Sequence, residues 1–108
     1  RVLRAEISPS VVRAGAVLDV LFVVDRTQIC PNTVQSWWTT EANQTLPVVS
    51  LPARTRVEPK IGKKLPVYLQ LTAPEIPGRM CYQSAVRHRC GDGDYTVTTP
   101  ALCVLVTP

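Results

Sequence analysis

Residues 65–90 read LPVYLQLTAPEIPGRMCYQSAVRHRC, and the rhythm of this stretch decides the fold class. Leu65, Val67, Leu69 and Leu71 fall on one side and Pro66, Tyr68, Gln70 and Thr72 on the other, which is the period of two of a half-buried strand. Pro74, Pro77 and Gly78 then stop it. The alternation resumes with Met80, Tyr82, Ser84, Val86 and His88 on one face and Cys81, Gln83, Ala85, Arg87 and Arg89 on the other. Two such strands joined by a stiff link are expected to cross from one layer of a β-sandwich to the other.

The rest of the chain repeats the pattern. Its 108 residues suit one domain with a single core, and a hydrophobic content of 45% excludes a disordered tail. Ten prolines against five glycines favour short strands and stiff turns, so almost no helix is expected. Val2 to Ile7 reads as a first strand ended by a turn at Ser8 to Ser10. After a turn at Arg13 to Gly15, Ala16 to Asp25 is the strongest strand, with Leu18, Val20, Phe22 and Val24 directed to the core. Arg26 to Thr33 is expected as a loop and Val34 to Thr40 as a strand. In that strand Trp37 and Trp38 must point opposite ways, and the one left outside would either anchor a ligand or be covered by a neighbouring element. Leu46 to Leu51 and Ala53 to Val57, broken by Pro47, Pro52 and Pro59, read as edge strands. Gly91 to Asp94 reads as a hairpin turn, and Tyr95 to Val106 as the last strand, interrupted near Pro100.

This layout resembles the immunoglobulin-like and fibronectin-like superfamily. The strand ending at Thr72, Ala73, Pro74, the Pro77–Gly78 turn and the following strand with Tyr82 are similar to the immunoglobulin-like class of bacterial surface and periplasmic modules. The same pattern marks the central domain of one class of autophagy receptors. The late cysteine-containing strand also resembles periplasmic domains of small phage membrane proteins. The resemblance implies an all-β, immunoglobulin-like β-sandwich of seven to eight antiparallel strands with two disulfides. Cys30 lies in a loop instead of mid-strand, which departs from the Cys-Trp-Cys spacing of antibody domains.

Cys30, Cys81, Cys90 and Cys103 show no CxxC spacing, so two disulfides are expected in place of a zinc site. Three connectivities are open. The hairpin turn brings Cys81 opposite Cys103, and the loop of Cys30 lies at the same end as Cys90, which favours Cys30–Cys90 with Cys81–Cys103. Cys90–Cys103 with Cys30–Cys81 is the alternative. Disulfides place the chain in an extracytoplasmic compartment, whether periplasmic, secreted or cell-surface. The sequence contains no apolar run of about 18 residues. It opens on a strand, as would a piece of a secreted or membrane-anchored protein whose targeting segment lies outside it, and any membrane contact would run through such a segment.

No motif here specifies a reaction, and an enzyme is not expected. His88 with Cys90 or Cys81 is the sharpest catalytic pairing available, but a disulfide would remove the thiolate. Asp92 and Asp94 fall short of a Ca²⁺ ligand set, and an Asp-Gly turn forms without metal, so no metal or cofactor is expected. Asn43-Gln44-Thr45 matches a glycosylation sequon. The net charge of +4 is spread along the chain, with small groups at Lys60, Lys63, Lys64 and at Arg87, His88, Arg89, and no nucleic-acid motif accompanies it. The expected working surface is the loop end carrying Arg26, Gln28, Asn32, Arg87, Arg89, Asp92 and Tyr95, a mixture of Arg and Tyr suited to a protein partner. A stiff spacer and a basic polyanion-binding module are the competing readings.

Overall fold

The computed structural model describes residues 1–48 and 61–108, and among them every regular element is a strand. In chain order these are β1 (Val2–Ser8), β2 (Val11–Arg13), β3 (Val17–Arg26), β4 (Asn32–Thr40), β5 (Thr45–Pro47), β6 (Gly62–Thr72), β7 (Gly78–Cys90), β8 (Gly93–Thr98) and β9 (Leu102–Thr107). One sheet has the order β1-β3-β6, and the other β2-β9-β7-β4-β5, with β8 also paired to β7.

The expected count of seven to eight strands, all antiparallel, is therefore corrected to nine among the described residues, with β2 and β9 parallel. Proline is the physical reason. It has no N–H to give to a ladder, and Pro9 separates β1 from β2 while Pro100 separates β8 from β9. At Pro9 the chain leaves β3 and continues beside β9 in the same direction. Of the expected edge pieces, only Thr45–Pro47 is described as a strand, and residues 49–60 lie outside the described residues.

The stretch from Leu65 to Cys90 does cross between layers, because β6 belongs to the three-stranded sheet and β7 to the larger one. Gly78 serves the link with a φ of 127°, which a side chain rarely adopts. Alternation along β3, β6, β7 and β9 then directs one face of each sheet into a shared core. Leu18, Val20 and Phe22 of β3 and Leu71 of β6 meet Trp38, Met80, Tyr82, Val104 and Val106 of the opposite layer.

Trp38 is the buried tryptophan, at 1% exposure, and Trp37 is half-buried on the outer face. Register makes the choice: Trp38 lies opposite Tyr82, whose inward direction it shares, and their rings sit 5.5 Å apart at 57°. Such tilted pairs add about 0.5–1.5 kcal/mol beyond the area they bury.

The disulfides are Cys30–Cys90 and Cys81–Cys103. The second joins directly opposed residues of neighbouring strands, with Cα atoms 4.0 Å apart. The first ties the β3–β4 loop to the end of β7 and closes a sequence separation of 60 residues. On the chain-entropy estimate that closure contributes about 4 kcal/mol.

Two outcomes in urea unfolding follow from this packing. Trp38→Ala is expected to cost about 3–5 kcal/mol, and Trp37→Ala clearly less, so equal losses would contradict the assignment of the core tryptophan. Replacing Cys30 and Cys90 together with Ser should remove up to about 4 kcal/mol, and a double variant as stable as the parent would show that this bridge does not restrain the unfolded chain.

Candidate functional site

The two layers do not stay in contact along their whole length. They close on Trp38, Tyr82 and Leu71 and part toward the opposite end, leaving an apolar cleft of about 320 Å³ between them. Its walls are the inward residues of five strands: Phe22 and Val24 of β3, Val34 of β4, Val67 and Leu69 of β6, Val86 of β7, and Val97 of β8. Val34 shares the inward direction of Trp38, yet is 57% exposed. A core-facing valine left that open marks where the layers have separated.

A group of hydroxyls lies where the closed core meets the cleft. Tyr82 Oη and Ser84 Oγ are hydrogen-bonded at 2.6 Å, and Ser84 Oγ and Ser36 Oγ at 2.8 Å. The Ser84 N–H donates to Thr99 Oγ1 at 2.9 Å and the Thr99 N–H to the Ser84 carbonyl at 2.9 Å. Ser84 and Thr99 both line the cleft, giving it a polar patch in an otherwise apolar wall. Among the described residues no buried side-chain nitrogen or oxygen lacks a partner. The hydroxyls therefore satisfy one another and do not require a ligand.

The mouth is polar. Of the seven residues expected to share the loop end, Arg26, Gln28, Asn32 and Tyr95 line the cleft. Arg87 and Arg89 stand on the outward face of β7, and Asp92 sits in the turn that follows Cys90. Arg87 pairs with Asp94 at 3.0 Å on that outer face. Gln28 Nε2 donates to Cys90 Sγ at 3.3 Å, which ties the β3–β4 loop to the disulfide. The Tyr95 ring stacks on His88 with centroids 4.7 Å apart and an angle of 21°. Burial lowers the pKa of His88 below its usual 6.5, with smaller contributions in the same direction from the N-terminal ammonium and Arg26.

Neither Cys90 nor Cys81 can act as a nucleophile with His88, because both are in disulfides and Cys81 lies seven residues along β7 from it on the other face. Among the described residues no three His, Cys, Asp or Glu side chains gather as a metal would require, and Asp92 is exposed in the β7–β8 turn. Asn43 of the sequon lies exposed in the β4–β5 turn with a φ of 60°. Lys63 and Lys64 begin β6, and Lys60 lies outside the described residues.

No protein family matches the chain, and no curated protein is significantly similar to it. The site must be read from its own chemistry. Sequence reasoning placed Val24, Val67, Leu69 and Val86 on core faces without showing that they border an opening. The signal that was present is His88, a titratable residue on the inward parity of β7.

The histidine gives a checkable pH dependence. Its folded-state pKa is the lower one, so the unfolded chain binds the proton first. Stability should be full above 6.5, fall as pH drops through the interval between 6.5 and the folded midpoint, and level off below it. Denaturation of the parent and of His88→Gln at pH 8 and pH 5 should show a smaller acid loss in the variant, and a ring titration by NMR with a midpoint at or above 6.5 would refute the assignment.

Proposed function

We propose that the protein is a non-enzymatic recognition module of an oxidising, extracytoplasmic compartment, and that it binds a protein partner at the cleft end of an immunoglobulin-like two-layer fold. The observation that carries this reading is the cleft itself, apolar within and rimmed by Arg26, Gln28, Asn32 and Tyr95. A concave apolar site with a few convergent polar groups is the usual form of a binding site. Its volume of about 320 Å³ is at the small end of the range, enough for the apolar side chains of a protein segment.

The strand order supports the immunoglobulin-like assignment, with β1-β3-β6 facing β2-β9-β7-β4-β5. Two disulfides and no free cysteine are compatible with an oxidising environment. The resemblance to periplasmic and surface modules favours the ectodomain of a secreted or membrane-anchored bacterial or phage protein. A spacer would gain nothing from layers that part, since an unfilled apolar gap forfeits packing. The basic residues are spread along the chain, and two of them, Arg4 and Arg87, are paired with Glu6 and Asp94, which favours a polyanion site less.

The test compares capture of a cross-linked partner from a cell-envelope extract by the parent protein, Val34→Asp and Val17→Asp, the last an exposed valine away from the cleft. Capture should survive in Val17→Asp and drop at least tenfold in Val34→Asp. Equal capture by all three sinks the cleft as the binding site, and capture by the parent that disappears in moderate salt while tolerating Val34→Asp would establish the polyanion reading instead.

A further inference from the structure

The end of the molecule away from the cleft carries Glu41-Ala42-Asn43-Gln44-Thr45, the link from β4 into β5. Asn43 and Thr45 complete the Asn-X-Thr triplet of an N-linked glycan acceptor, and the residue between them is not proline. β4 runs from Asn32 at the mouth of the cleft to Thr40, which sets the turn about 27 Å away at the rise of a strand.

The turn offers its acceptor to solvent. All five residues are exposed. The Asn43 N–H donates to the Thr40 carbonyl at 2.9 Å, the Thr40 N–H to the Gln44 carbonyl at 2.9 Å, and the Gln44 N–H to Thr40 Oγ1 at 3.1 Å. Within these bonds Asn43 has a φ of 60°, in the left-handed region that asparagine tolerates better than most side chains. Among the described residues no side chain engages the Asn43 amide or the Thr45 hydroxyl. A transferase must draw the acceptor into its own groove, and the hairpin yields at little cost: β5 has three residues and, among the described strands, pairs with β4 alone.

A carboxylate stands two residues before the acceptor. Glu41 is exposed, and its Oε1 accepts the Arg79 N–H at 3.1 Å, which leaves the lone pairs of Oε2 for a cation of an enzyme. An acidic residue in that place extends the triplet to the longer acceptor pattern read by bacterial oligosaccharyltransferases, a pattern much rarer by chance than the triplet itself.

We propose that Asn43, on the folded β4–β5 hairpin, accepts an N-linked glycan from a lipid-linked oligosaccharide through a transferase of the bacterial type. The side-chain nitrogen of Asn43 bonds to C1 of the first sugar as the bond from C1 to the pyrophosphate oxygen breaks. The lipid pyrophosphate leaves with the bonding electrons, the nitrogen gives one proton to a base of the transferase, and nothing is oxidised or reduced. The site rests on the extracytoplasmic reading, the compartment in which such donors are used, and leaves the cleft open to its partner.

The test incubates the intact, disulfide-bonded protein with a purified single-chain bacterial oligosaccharyltransferase and its lipid-linked donor, and reads occupancy by peptide mass spectrometry. Transfer outside the cell does not depend on compartment, so its failure would strike the site and leave the extracytoplasmic reading standing. The parent should carry the glycan at Asn43, and so should Thr45→Ser. Asn43→Asp, which keeps a short polar side chain at the positive φ, and Thr45→Val should carry none. Glu41→Gln, which keeps an acceptor for the Arg79 N–H, should lower the initial rate at least tenfold. Thermal unfolding at the parent's midpoint shows that each variant is folded. An unmodified parent, a glycan that persists in Asn43→Asp, or an unchanged rate in Glu41→Gln overturns the proposal. Modification of the reduced, unfolded chain but not of the folded parent would overturn presentation by the hairpin. NMR signals of the Val34 and Val97 amides should stay in place on glycosylation, and shifts there would contradict a glycan that leaves the cleft free.

Discussion

The backbone ladder of β7 is the interaction on which the larger sheet depends. Its 13 residues bond to β4 along one side and to both β9 and β8 along the other. Tyr82 sits near its middle, with its ring against Trp38 and its hydroxyl in the Ser84 and Ser36 cluster. One side chain thus joins the apolar core to the polar boundary of the cleft. Both disulfides also end on this strand, at Cys81 and Cys90, so sulfur restrains the same element at two points.

Two prolines shape what surrounds β7. Pro100 interrupts the strand that follows the last hairpin, and the register against β7 differs on either side of it: Val86 faces Val97, whereas Tyr82 faces Leu102. Pro9 moves the start of the chain from one sheet to the other. The first break gives β8 its own place in the ladder, and the second removes the neighbour that would have covered its edge. An open edge and an open cleft at one end of the molecule therefore share a cause in residues that cannot donate a ladder bond.

That end combines an apolar wall with a polar mouth. Its sulfurs are oxidised, its histidine is stacked on a tyrosine, and its apolar surface is concave and partly exposed. A ligand there would meet apolar walls of Phe22, Val24, Val34 and Val97 beneath a rim of Gln28, Asn32 and Tyr95.

Much of the architecture was legible in the chain. Alternation at Leu18 to Val24, at Leu65 to Leu71 and at Met80 to Ser84 identified strands and their inward faces, because a strand's side chains change sides at every residue whatever their surroundings. The count of strands was less legible, since a proline within an extended run can be a kink or a boundary, and only the neighbouring strand decides. Arg26, Gln28, Asn32 and Tyr95 were identified from loop position and residue type, but Arg87 and Arg89 were grouped with them although their parity turns them to the outer face. What the tertiary structure alone decided is that Trp38 and not Trp37 is buried, and that the layers meet at Leu71 but not at Val34. Parity tells a side chain which way to point, while the distance to the opposite sheet depends on how both sheets twist and on where Pro9 and Pro100 release the chain.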